Sequence, residues 1–107
     1  GNGNGTFQSA ANFSTGANPI SVTLGDVNGD GRLDIVTANK AGNNASVLLG
    51  TGGSASKATF SPQQTFDLGA LPLSVTLGDV NGDGRLDLMT ANYSSKNASV
   101  LLGNGDG

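Results

Sequence analysis

Apolar and polar residues alternate along the chain in short runs: Ser21-Val22-Thr23-Leu24, Leu33-Asp34-Ile35-Val36-Thr37 and Ser46-Val47-Leu48-Leu49. A period of two with β-branched residues, bounded by Gly/Asn clusters, predicts a β-strand at each run. A fourth segment, Thr59 to Phe66, carries Phe at both ends and Pro62 inside. Proline cannot donate to a ladder, so this segment is predicted as an edge strand. The whole pattern is then written a second time. Ile20–Gly50 and Leu73–Gly103 align without a gap at an offset of 53 residues, with 24 of 31 positions identical. The same offset carries Thr6-Phe7 onto Thr59-Phe60 and Phe13 onto Phe66.

A unit of about 50 residues lies in the range of propeller blades and solenoid turns. Naming the four strands of a unit A to D, the prediction is all-β: two four-stranded propeller blades with Gly/Asn-rich connections. A β-sandwich built from the same hairpins is the alternative. The chain reads as a single unit over 1–107. Residues 1–19 form an N-terminal outer strand (Thr6 to Phe13) and its connection, 20–66 the first blade, and 73–103 a second blade without its outer strand. Unpaired strand edges pair readily with other chains. The N-terminal strand is therefore expected to complete the last blade of a neighbouring copy, giving a homo-oligomeric ring closed by strand complementation. Such contacts are heterologous, and three or four chains would give six or eight blades.

Composition narrows the chemistry. Of 107 residues, 18 are Gly, none is Cys and none is His, which removes disulfides, thiolate sites, the usual zinc ligand and the usual general base. The five basic residues are scattered singly and the net charge is −3, so no nucleic-acid partner is expected. No apolar run approaches the ~18 residues of a membrane span, so no membrane partner is expected either. All 8 acidic residues are Asp.

Six of those eight lie in two loops between strands A and B. The first reads Asp26-Val27-Asn28-Gly29-Asp30-Gly31-Arg32-Leu33-Asp34, and the second Asp79-Val80-Asn81-Gly82-Asp83-Gly84-Arg85-Leu86-Asp87. Side-chain oxygens at positions 1, 3, 5 and 9 (Asp26, Asn28, Asp30, Asp34; Asp79, Asn81, Asp83, Asp87), with the backbone carbonyl of Arg32 or Arg85 at position 7, can converge on one hard cation. Calcium suits such a loop, because it accepts six to eight oxygens at flexible geometry, and two ions per chain are expected. Without metal the same loop would be a solvated Asx turn. An EF-hand would need Glu at position 12, where Thr37 and Thr90 stand. Dockerin loops lead into helices, whereas strands follow here.

The string Leu24-Gly25-Asp26-Val27-Asn28-Gly29-Asp30-Gly31-Arg32-Leu33-Asp34, followed by Thr37-Ala38-Asn39 and Ser46-Val47-Leu48-Leu49-Gly50, resembles the FG-GAP/VCBS repeat. That repeat occurs in integrin alpha-chain propellers, secreted bacterial proteins and some fungal propeller lectins. The resemblance implies a calcium-binding β-propeller, usually extracellular and commonly seven-bladed. Two units depart from that pattern. Their near-identity and a start at Gly1 rather than Met are what a designed or excised fragment is expected to look like.

On the calcium-free end of the strands, Asn43, Asn44, Tyr93, Lys96 and Asn97 offer amide, hydroxyl and ammonium groups to a glycan or protein ligand. A calcium-stabilised lectin is the alternative reading to a structural or recognition scaffold. No enzyme is expected, since the only paired carboxylates lie inside the metal loops.

Overall fold

A computed structural model describes residues 2–54 and 57–107. Among the described residues nine strands form: β1 (Pro19–Gly25), β2 (Asp34–Asn39), β3 (Asn44–Leu48), β4 (Gly50–Ser54), β5 (Lys57–Phe60), β6 (Gln64–Asp67), β7 (Pro72–Gly78), β8 (Asp87–Asn92) and β9 (Asn97–Leu101). Among the described residues there is no helix. The first sheet has the order β1-β2-β3-β6, the third β7-β8-β9, and β4-β5 is a separate hairpin. Every pairing is antiparallel. Strands A, B and C of each unit therefore stand where the alternation placed them, with the all-β reading intact.

Two strand expectations need correction. The segment Thr59 to Phe66 is not one strand but two, interrupted at Ser61-Pro62-Gln63. Only its second half joins the first sheet, with Ala45 opposite Phe66 and Val47 opposite Gln64. Pro62 supplies no N–H, and the chain changes partner there. The first half instead pairs with β4, with Gly52 opposite Thr59 and Gly53 opposite Ala58; Ala55 and Ser56 lie outside the described residues. The N-terminal segment Thr6 to Phe13 forms no strand. A strand requires a ladder partner, and this segment lies exposed, with Phe13 edge-on to Phe60 at a centroid distance of 4.8 Å.

Sequence chemistry explains the local geometry. Both first strands begin at proline and both carry an irregularity there, between Pro19 and Ser21 and between Pro72 and Ser74, where the missing donor costs no central ladder bond. The β2–β3 and β8–β9 connections are four residues long and end in left-handed residues, Asn43 (φ 52°) and Lys96 (φ 54°). That is the ordinary use of such a turn, and it explains how the loop sequences can differ while the strands align.

The core lies between the two sheets. From the first come Val36, Ala38, Ala45 and Val47, which alternation and register place on one face; from the other come Val75 and Leu88. Val36 and Val47 of the first sheet, with Phe66, face Leu77, Leu88 and Leu101 across an apolar cavity of about 320 Å³. A closed polar network sits beneath the β2–β3 turn. Asn39 Nδ2 donates to Asn44 Oδ1 (2.8 Å) and Ser46 Oγ (2.8 Å), and Thr37 Oγ1 donates to Asn39 Oδ1 (3.1 Å). Asn92, Asn97, Ser99 and Thr90 repeat it. Buried amides are expensive unless satisfied, and these are satisfied.

Candidate metal centres

Each D-x-N-x-D-G-x-x-D loop closes the end of a hairpin, since Gly25 pairs with Asp34 and Gly78 with Asp87 as the last residues of their ladders. Within the first loop the carboxylates face backbone N–H groups. Asp26 Oδ1 accepts from Gly29 N (2.8 Å) and Asp30 N (3.0 Å), while Asp26 Oδ2 accepts from Gly31 N (2.8 Å). Asn28 Oδ1 accepts from Asp30 N at 3.1 Å, and Asp30 Oδ1 from Arg32 N at 2.9 Å. These bonds bend the chain through Gly29 (φ 74°) and Gly31 (φ 81°), a conformation that side chains with a Cβ resist. The second loop repeats them from Asp79, Asn81 and Asp83.

Asp34 and Asp87 differ from the loop carboxylates in being fully buried. Asp34 Oδ2 accepts from Val27 N and Oδ1 from Gly50 N, both at 2.8 Å. Asp87 accepts from Val80 N (2.8 Å) and Gly103 N (2.9 Å). One carboxylate thus ties the acidic loop to the residue that leaves the third strand of its unit. The pairing with Gly50 and Gly103 was not legible in the sequence; its only trace is that the aligned units both end at glycine.

These donors hold the Asp87 carboxyl below the usual aspartate range, the N–H of Gly103 most and that of Val80 next. Asp30 is lowered as well, chiefly by Arg32 N. A carboxylate with a depressed folded pKa stabilises the fold above its unfolded value of about 3.9, and that stabilisation disappears as pH falls through the folded value. Asp87→Asn, measured in chelator, should lower the urea midpoint at neutral pH, and the gap to wild type should close as pH drops below about 4. Asp30 contributes equally to both proteins. A gap independent of pH would contradict this origin of the shift.

Among the described residues no group of three or more acidic side chains is drawn together as a ready metal cage. The donor chemistry nonetheless fits an oxygen-seeking cation. A carboxylate or amide oxygen has two lone pairs, and one remains after the bonds above on Asp26 Oδ2, Asn28 Oδ1, Asp30 Oδ1 and both oxygens of Asp34. Asp30 Oδ2 is spent on Asn28 Nδ2 (3.2 Å) and Arg32 Nη1 (3.0 Å). Together with the carbonyls of Arg32 and Arg85, these are the groups that could hold an ion.

At the opposite end, Leu71 joins the two β2–β3-type turns. Its N–H donates to Asn43 Oδ1 (2.9 Å) and its carbonyl accepts from Tyr93 N (3.0 Å). Asn44 and Asn97 are engaged by Asn39 and Asn92. The side chains of three of the five rim residues therefore bond within the chain, while Tyr93 and Lys96 stand exposed. The sequence signal for this was present: Thr-Ala-Asn and Asn-Ala-Ser flank both turns at identical spacing although the four turn residues differ.

A family model described as the FG-GAP-like repeat matches residues 1–37 and 26–90. Neither the curated proteins nor the solved structures give a match. The matched stretches cover the first hairpin, both acidic loops and the second hairpin as far as Thr90. The chain belongs to the FG-GAP-like repeat family.

Proposed function

We propose that the chain is a calcium-binding propeller-type module, a non-catalytic scaffold for structure or recognition that works outside the cell. The observation that carries this reading is the duplicated loop, whose oxygen donors occupy the closing end of each hairpin and keep lone pairs in hand. Extracellular modules bind calcium at ~0.1–1 mM, and calcium in that range would fill loops of modest affinity. Two bound ions would take the net charge from −3 to +1 and relieve the repulsion among the Asp side chains. In a module of this kind further units complete a ring, and copies of this chain, three or four to a ring, are the units we propose.

The lectin alternative draws less support, because the amides of Asn43, Asn44 and Asn97 are already committed to intrachain bonds.

Native mass spectrometry with calcium titrated to about 1 mM should show two ions per chain, and Asp26→Ala should leave one. Calcium at ten times its dissociation constant should add about 1.4 kcal/mol of stability per site. A chain that takes up no calcium at that concentration, with a melting temperature indifferent to chelator, would refute the proposal.

A further inference from the structure

The two units bury the same faces to very different extents. On the first unit Val47 is 5% exposed, and on the second its counterpart Val100 is 52% exposed. Ala38 and Ala45 are fully buried, while Ala91 and Ala98 are exposed. The opposite faces show the reverse: Val75 of the second unit is 7% exposed, and its counterpart Val22 of the first is 65% exposed. The cause is the packing of the second unit's β7 face on the first unit's β2–β3 face. There Leu77 and Leu86 close over Gly25, where a Cβ would collide with both, and Val75 N donates to Ser21 Oγ at 3.3 Å.

This internal contact is heterologous, so it leaves one unsatisfied copy of each face. The first unit exposes Val22, Leu24 and Leu33, the counterparts of Val75, Leu77 and Leu86. The second exposes Val80 and Val100, with Gly78 in the place of Gly25. Nearly identical residues have already shown how these two faces fit.

We infer that a second copy of this chain seats its Val22/Leu24/Leu33 face on the Val80/Val100 face, repeating between chains the contact that joins the two units within one. The inference rests on the propeller-type reading and names its partner surface. Leu24 and Leu33 of the incoming copy cover Gly78, and its Val22 N–H reaches Ser74. The connection into β1 then lies as the connection from β6 into β7 does. Transposing the β3–β6 register by 53 residues places Ala11, Asn12, Phe13 and Ser14 of the incoming copy opposite Val100, Ser99, Ala98 and Asn97. They supply the fourth strand that β9 lacks, and Phe13 leaves Phe60 to take the position that Phe66 holds beside Ala45. A head-to-tail contact of this kind closes into a ring or grows as a filament.

Sedimentation velocity of the full chain in calcium tests this. Wild type should associate with rising concentration, whereas Val22→Asp and Val100→Asp, each made at a position exposed in the single chain, should remain at 10.5 kDa with unchanged circular dichroism. An equimolar mixture of the two variants should form a 1:1 complex and nothing larger, because each retains the face the other lacks. Leu24→Asp and Val80→Asp form a second such pair should either first variant misfold. Phe13→Asp should weaken association at least tenfold and Phe7→Asp should not. Wild type that stays monomeric at about 1 mM, a Val100→Asp variant that still self-associates, or an inert mixture would overturn the face assignment; Phe13→Asp without effect would overturn the added strand. Calcium counted on wild type separates the two readings: two ions with no assembly sinks this inference alone, and assembly without ions sinks the calcium proposal alone.

Discussion

Asp34→Ala should cost about 3 kcal/mol of folding stability even in excess chelator, a large share of the ~5–15 kcal/mol that holds a domain of this size. The carboxylate is fully buried and accepts two bonds at 2.8 Å. Hydrogen bonds to a charged acceptor contribute ~1.5–3 kcal/mol each, and alanine leaves the N–H groups of Val27 and Gly50 without that acceptor. Asparagine keeps one acceptor oxygen but turns an NH2 toward the other N–H, so Asp34→Asn should fall between alanine and wild type. Asp26 is bonded only within its own loop, and in chelator Asp26→Ala should cost about 1 kcal/mol. Urea denaturation of the three variants with and without calcium measures the difference. If Asp34→Ala and Asp26→Ala were equally mild in chelator, Asp34 would be a metal ligand and no clasp.

A second large loss is expected from a single methyl group. A Cβ added at Gly50 would stand 2.5 Å from the carbonyl oxygen of Leu33 and 3.4 Å from its carbonyl carbon. These are backbone atoms and cannot rotate aside, so the strand exit itself has to move, at a cost of about 1–3 kcal/mol. The same shift pulls the Gly50 N–H away from Asp34. Gly50→Ala should therefore lose about 2 kcal/mol, and Gly103→Ala, where a Cβ would collide with the carbonyl oxygen of Leu86, should match it. Double-mutant cycles pairing Gly50→Ala with Asp34→Ala should be strongly non-additive, since both break one bond. Additive losses would show that the steric and hydrogen-bonding effects are separate.

Both predictions concern long-range pairings, and the same division runs through the fold. Strands A, B and C follow from alternation, because a half-buried strand imposes a period of two on its own residues. The acidic loops follow from spacing, because bends at Gly29 and Gly31 and Asx turns from Asp26 and Asn28 act over five residues or fewer. These were determined by the sequence alone, twice over.

What only the tertiary structure decided is how distant segments divide their partners. Pro62 announced an edge, yet not that the chain before it would pair with β4 and the chain after it with β3. Residues 6–13 resemble residues 59–66, but a strand exists only where a neighbour offers its free N–H and C=O groups. Asn44 and Asn97, polar and near turns, read as ligand groups until Asn39 and Asn92 claimed them. Identical residues such as Val22 and Val75 end at opposite extremes of burial, for burial depends on what packs against a face, and a repeated sequence writes every face alike.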